Sequence, residues 1–462
     1  MKGDFTRDSF AANRRNTRVV LQQGRLLLDA DWNEQVAILL HRMETMIRDL
    51  VGPYGGPEGD CGFEIRAEGP DGPLQNDFGI GTGRYYVGGL LCENTDPALT
   101  FSGQGFAPSR DALRPGRPYL VYLDAWEDYV SPQEDPAMRE VALGGADTAG
   151  RARVFWRVQA WEMDDATTKL LRSPTNPAGF TNDKLDSEWA KLTERFQPPE
   201  RGQLRVRVTE PATADDLPPS IVAPGSGYRG PENHLYRVEV HTGGRAAEGA
   251  TFKWSRDNGS VLVPVLALAG NVATLGPTGP DARIALAIGD IVEAVEPRAA
   301  AFGRPGPLFR ITDLPADGEV VLQGNGRLPP AEGLLLRRWD QRQGVEGRRG
   351  LVLQDGAAKL LEGDGDSNWL PLEDGILVQF RKTDCSYRSG DYWLIPARTT
   401  DGGIVDWPAD AQGRPTPQPP HGIRHRYAPL GIVNFTGGGV AVDCASRIAF
   451  RMSLDRPSLS RA

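Results

Sequence analysis

YLVYLDAWEDYV (Tyr119–Val130) and RARVFWRVQAW (Arg151–Trp161) are the stretches that set the fold class. The first is a nearly unbroken run of apolar and aromatic residues, with the length and β-favouring composition of a buried strand. The second alternates Val154, Trp156, Val158 and Ala160 with Arg153, Phe155, Arg157 and Gln159. That two-residue period sends successive side chains to opposite faces of a sheet. The loop EDPAMREVALGGADTAG between them leaves room for the two to pair. They form the first predicted sheet.

The same rhythm continues outward. LRVRV, LYRVEVHTGG (Leu235–Gly244) and ATFKWSRDNGSVLVPVLALAG (Ala250–Gly270) follow, and Asp257-Asn258-Gly259-Ser260 is a tight-turn signal between two strand-like runs. NVATLG, IVEAVEP, LFRITDL and EVVLQG keep near-regular spacing, and GILVQFRK, DYWLIPART, YAPLGIVNF and RIAFRMSLD repeat it before a polar tail. With 55 glycines and 37 prolines in 462 residues, short elements joined by turns are favoured over long helices. The expected fold is mainly β, built of β-sandwich or small-barrel domains. The expected division is an arm and helix at 1–52, a β-rich domain at 53–245, an inserted small β-domain at 246–340 and a C-terminal β segment at 341–462. The late strands are expected to return and complete the first β-domain.

The N-terminal stretch differs in kind. QQGRLLLDADWNEQ (Gln22–Gln35) joins a basic arm to one long α-helix. Asp31 is placed as N-cap with Glu34 three residues on, a capping-box pattern. Val36, Leu39, Leu40, Met43, Met46, Ile47 and Leu50 then recur at helical spacing and give one apolar face, until Gly52-Pro53 ends the helix. No heptads are read as sustained enough for a coiled coil. A shorter helix is expected around Leu185, Trp189, Leu192 and Phe196, before Pro198-Pro199. The arm carries Lys2, Arg7, Arg14, Arg15, Arg18 and Arg25 against Asp4 and Asp8, on a chain of net charge -9. Two readings stand: the arm docks on an acidic partner, or it lies on its own acidic body.

Composition excludes several classes. A pI near 5.3 argues against a general nucleic-acid binder. No apolar run reaches membrane-spanning length, and MKGDFTRDSF lacks the apolar core of a secretory signal. Cys61, Cys92, Cys385 and Cys444 are widely spaced and read as small buried hydrophobes in a reducing cytosol. GIGTGRYYVGG lacks the Gly-Lys-Ser/Thr ending of a phosphate loop. Asp364, Asp366 and Asn368 form only a fragment of a calcium loop, with Trp369 and Gly375 where glycine and glutamate are needed. His421 and His425 lie among Pro419, Pro420 and Gly422, which oppose a helical zinc pair. The reading is therefore no catalytic residue, no metal and no cofactor. A ligand face around Trp126, Glu127 and Trp161, suited to a glycan, is kept as the alternative.

Several phrases are more particular than composition. MKGDFTRDSF, VVLQQGRLLLDADWNEQ, ENHLYRVEVHTGG, ATFKWSRDNGSV, LEDGILVQFRK, SGDYWLIPART and PPHGIRHRYAPLGIV resemble, in order, an uncharacterised bacterial family of phage-tail-like proteins. The resemblance covers nearly the whole chain. It implies a non-enzymatic structural part of a contractile injection system, at the baseplate or as a fibre-like or decorating protein, made and assembled in the cytoplasm for an intracellular or released particle. Its partners would be other tail or baseplate subunits in a symmetric multi-copy assembly. Anchoring contacts are expected from Phe5, Arg7, Arg14, Arg15, Arg18, Gln22 and Trp32. The rival is a glycan- or envelope-binding module of the same particle.

Overall fold

A computed structural model describes residues 1–69, 72–104, 113–173, 179–196, 201–209, 227–276, 285–316, 318–343, 351–383, 385–399, 403–436, 439–445 and 447–450. Pro198-Pro199, the Cys444 side chain and the polar tail past residue 450 lie outside the described residues. The protein is mainly β, with one long helix, α1 (Asp29–Val51), near its N-terminus.

The two opening stretches pair as expected. Strand β1 (Pro118–Val130) runs antiparallel to β2 (Arg151–Glu162) in unbroken register from Tyr119↔Glu162 to Val130↔Arg151. Leu120, Val121, Leu123 and Ala125 are buried in consecutive stretches of β1 because both of its faces are covered. Part of that cover is α2 (Asn182–Phe196), which buries Leu185, Trp189 and Leu192 and stacks Phe196 on Tyr122 with ring centres 4.3 Å apart.

Strands β3 (His234–Thr242) and β4 (Thr251–Ser255) pair with each other in a six-stranded sheet. That sheet shares a core with the antiparallel pair Leu204–Val208 and Ile376–Phe380, through Tyr236, Val238, Phe252, Val206, Val378 and Phe380. The chain then enters a closed six-stranded barrel. Its strands are β5 (Leu262–Ala269), β6 (Val272–Leu275), β7 (Ile291–Val295), β8 (Leu308–Asp313), β9 (Glu319–Gln323) and β10 (Leu335–Trp339). Val292, Phe309, Ile311, Leu322 and Leu336 fill the interior. Small barrels are closed by such inward side chains, which leaves them packed and free of edges.

The turn at Asn258-Gly259 forms, with both residues in the left-handed region (φ 51° and 66°) and Ser260 N–H donating to Asp257 O at 2.9 Å. It does not join a hairpin: β4 pairs with β3 and Ala357–Lys359, whereas β5 pairs with β6 and β10. The turn instead carries the chain from sheet into barrel. Two late strands return to earlier sheets. β11 (Tyr392–Arg398) pairs with β3, and β12 (Arg426–Thr436) pairs with the free edge of β1.

Candidate functional site

α1 begins three residues before the position expected from sequence. Leu28 is the N-cap, and Asp31 sits at the third helical position, where its carboxylate accepts the Leu28 N–H at 3.3 Å. Asp29 and Asp31 place negative charge in the first turn, where the helix dipole favours it. Gly52, at φ 94°, closes the other end by donating to Arg48 O.

The arm covers one side of this helix. Thr6 donates its backbone N–H (2.9 Å) and its hydroxyl to Asp29. These bonds outweigh burial and hold the Asp29 carboxyl below its usual range. Ser9 and Asn16 both donate to Glu34, at 2.6 and 3.0 Å, and Val19 N–H donates to Gln35 at 2.8 Å. Phe10 packs on the His41 ring at 5.5 Å. Between arm and helix runs a groove of about 580 Å³. Lower down, Glu44 pairs with Arg426 at 2.7 Å, and Arg426 also donates to Gly88 O. Gly89 (φ 93°) meets α1 so closely that a Cβ there would lie 2.7 Å from the Glu44 carbonyl oxygen.

The first residues are fixed in the body of the protein. Lys2 Nζ lies 3.4 Å from Glu239, a carboxylate that is also bonded by Arg237 at 2.6 Å. Arg237 donates to Met1 O, and the Asn258 amide donates to Gly3 O at 2.9 Å, so the sheet-to-barrel turn receives the arm. The Met1 amino group donates to the Tyr392 hydroxyl, and burial together with Arg237 pulls its pKa down to about 5. Burial would raise the Glu239 pKa, but Lys2, Arg237 and Lys253 overcome this and hold it far below the usual range. Of the two readings of the arm, its first nineteen residues follow the second: they lie on their own protein.

This arrangement leaves the apolar face of α1 outside. Ala30 and Ile38 are its only fully buried residues, and both sit on the arm side. Trp32, Val36, Leu39, Leu40, Met43, Met46 and Leu50 are all exposed, Trp32 at 64% and Leu50 at 66%. Val20, Leu21, Leu26, Leu27 and Leu28 add to this surface, with Leu26 at 89%. Monomeric proteins rarely leave so many large apolar side chains in one run uncovered.

The anticipated anchoring residues divide accordingly. Arg7, Arg14, Arg15, Arg18, Gln22 and Trp32 are exposed on or beside α1. Phe5 is half-buried and packs edge-on against Tyr129 at 5.3 Å. The glycan-face residues do not assemble. Trp126 is 1% exposed, donates its indole N–H to Ala301 O at 3.1 Å, and is enclosed by Phe155, Phe302 and His425. Trp161 pairs across from Leu120, six residues along β1 from Trp126. That spacing separates the two indoles by about 20 Å. Trp161 instead packs against Phe196 and carries Arg195 over its ring. Glu127 lines a cavity of about 170 Å³ with Glu44, Asp128, Arg424 and Arg426, where burial and then Glu44 push its pKa up.

Asp364 lies 3.8 Å from Arg205 and from Arg381, and Asp366 lies 3.6 Å from Arg207. His421 accepts from Leu394 N–H, while His425 pairs with Asp124 at 2.6 Å, so these histidines have separate partners. Cys92 and Cys385 are buried, Cys61 is half-buried, and all three are free thiols.

A family model described as a family of unknown function, DUF6519, matches residues 1–188 and 198–461. The chain belongs to the DUF6519 family. The match takes in the arm, α1 and both late strands, so the exposed helix lies within the family's shared region. No curated protein and no solved structure matches the chain. Among the described residues, no helix is long and apolar enough to cross a membrane.

Proposed function

We propose that this protein is a non-enzymatic structural component of a phage-tail-like contractile injection system, attached to its particle through α1 and the outer side of the arm. The observation that carries the reading is the uncovered apolar face of α1, beside an arm that exposes Arg7, Arg14, Arg15 and Arg18. A helix held by hydrogen bonds and the Glu44–Arg426 ion pair, with a stripe of Trp, Leu and Met left exposed, has the composition of a buried interface centre. The link to injection particles comes from the resemblance of the sequence phrases given above. In this reading the protein is made and assembled in the cytoplasm, and its neighbours are tail or baseplate subunits.

The test is to purify intact particles and identify their proteins by mass spectrometry, with a photo-reactive residue placed at Leu39. Lys2 is unsuitable as a cross-linking handle because it is paired with Glu239 inside the protein. Stoichiometric recovery with a cross-link from position 39 to another polypeptide is the expected result. Absence from washed particles would overturn the reading.

A further inference from the structure

The exposed residues of α1 have a pattern that the full apolar set conceals. Trp32, Val36, Leu39, Met43, Met46 and Leu50 follow one another at intervals of four, three, four, three and four. That is the strict 3.5-residue period of a coiled-coil seam, with Val36, Met43 and Leu50 at one core position and Trp32, Leu39 and Met46 at the other. Ile38, which is buried against the arm, and Ile47, which is half-buried, lie off the seam and blur it in the sequence.

We infer that the occupant of this face is a second copy of the same chain, and that three or more copies associate through a parallel, in-register bundle of α1 helices. The inference rests on the proposed assembly role and names its partner. A seam of this period is complementary to itself, since each knob fits a hole made by the same stripe on an identical helix.

Area is sufficient. Six large side chains about half exposed put on the order of 600 Å² of apolar surface on each copy, so one pair of copies buries on the order of 1,200 Å² before Leu40 and Val20–Leu28 are counted. The seam is less than three heptads long, but the arm and Arg426 already hold the helix folded, so association does not have to form it.

Charge selects direction. Gln35, Arg42 and Asp49 flank the seam on the side of the arm, where Val19 N–H bonds Gln35 and where Arg42 and Asp49, with Met46 and Leu50 of the seam, line the groove; Asn33, Leu40 and Ile47 flank it on the other. In an antiparallel pair with full overlap, Arg42 would face Arg42 of the other copy. In a parallel pair Gln35 faces Leu40 and Arg42 faces Ile47, with no like charges opposed. Apolar Leu40 and Ile47 at the flank widen the stripe beyond what two helices cover, which favours a bundle of more than two.

The test uses the purified full-length chain. Sedimentation velocity is expected to give a species of at least three times 50.3 kDa at micromolar concentration. The doubly substituted chain Leu39→Asp/Met43→Asp is expected to run as a monomer with an unchanged circular-dichroism spectrum. Leu50→Cys, mildly oxidised, is expected to form a disulfide with its own counterpart on another copy, which lies beside it in a parallel in-register seam and at the far end of an antiparallel one. Arg48→Cys serves as the off-seam control. A monomeric or dimeric native protein, or an oligomer that survives the double substitution, would overturn the inference. Recovery from particles of a protein that is monomeric when pure would sink this inference while leaving the assembly role standing. The converse result, a bundle never found in particles, would sink the assembly role alone.

Discussion

Replacing Lys253 with methionine tests the charged joint between sheet and barrel. Lys253 stands on β4 and is 1% exposed. Its ammonium lies 2.6 Å from Glu293 on β7, 3.4 Å from Glu239 on β3 and 4.4 Å over the Trp339 ring of β10. Methionine preserves most of the stem volume and removes the charge. Glu239 keeps Lys2 and Arg237, but Glu293 is left with only the Trp339 indole N–H and the Gly306 N–H, each at 2.9 Å. Burial raises the pKa of Glu293, yet Lys253, with His241 and Lys2, reverses this and sets it at about 2, against 4.5 in the unfolded chain. That difference corresponds to about 3 kcal/mol at neutral pH. Breaking one side of a buried pair typically costs about 3–5 kcal/mol, because the remaining charge is stranded. Urea unfolding followed by tryptophan fluorescence should therefore show a loss of about 3–5 kcal/mol in the transition that exposes Trp339. The double variant Lys253→Met/Glu293→Gln should recover most of it, since the amide oxygen still accepts both N–H groups and no charge remains. A single-variant loss below about 1 kcal/mol, or a double variant no better than the single, would refute the reasoning.

Further outcomes follow from the same geometry. Because the Glu293 pKa is lowered on folding, its contribution is full above the unfolded value of 4.5 and disappears as pH falls through about 2. The urea midpoint should drop across that window, and less steeply in Lys253→Met. Gly89→Ala places a methyl group against the Glu44 carbonyl at a positive φ. It should cost about 1–3 kcal/mol and show as faster hydrogen exchange in α1, with the barrel unaffected. Trp126→Ala empties a fully enclosed site and strips Ala301 O of its donor. A loss of about 3–5 kcal/mol is expected by thermal unfolding; unchanged stability together with loss of glycan binding would instead restore the ligand-face reading.

The β architecture was legible because its signal is local. The alternation in Arg151–Trp161 and the unbroken run in Tyr119–Val130 mark two strands that can pair, and the structure supplies their register. Asn258-Gly259 was equally readable as a turn, but which strands it served was not. β4 pairs back with β3 and β5 pairs with β10, more than seventy residues on and in a different sheet, and turn chemistry carries no information about that. Trp126 misled for a similar reason. An indole among Glu127 and Asp128 reads as a ligand face until Phe302, from a distant loop, is seen to close over it.

α1 shows why periodicity alone does not assign a buried side. Its apolar stripe was correct as a helical pattern, and the ordinary inference is that such a stripe faces the core. Here the core side is supplied by polar anchoring: Asp29 to Thr6, Glu34 to Ser9 and Asn16, Gln35 to Val19, and Glu44 to Arg426. Hydrogen bonds and ion pairs are directional, so they fix the rotation of the helix about its axis, whereas apolar contacts tolerate many rotations. These attachments are spread around the rest of the helix, so the stripe has no route to the body without breaking them. A helix locked in this orientation keeps its apolar stripe exposed, and it is this stripe that the proposed bundle of α1 helices would cover.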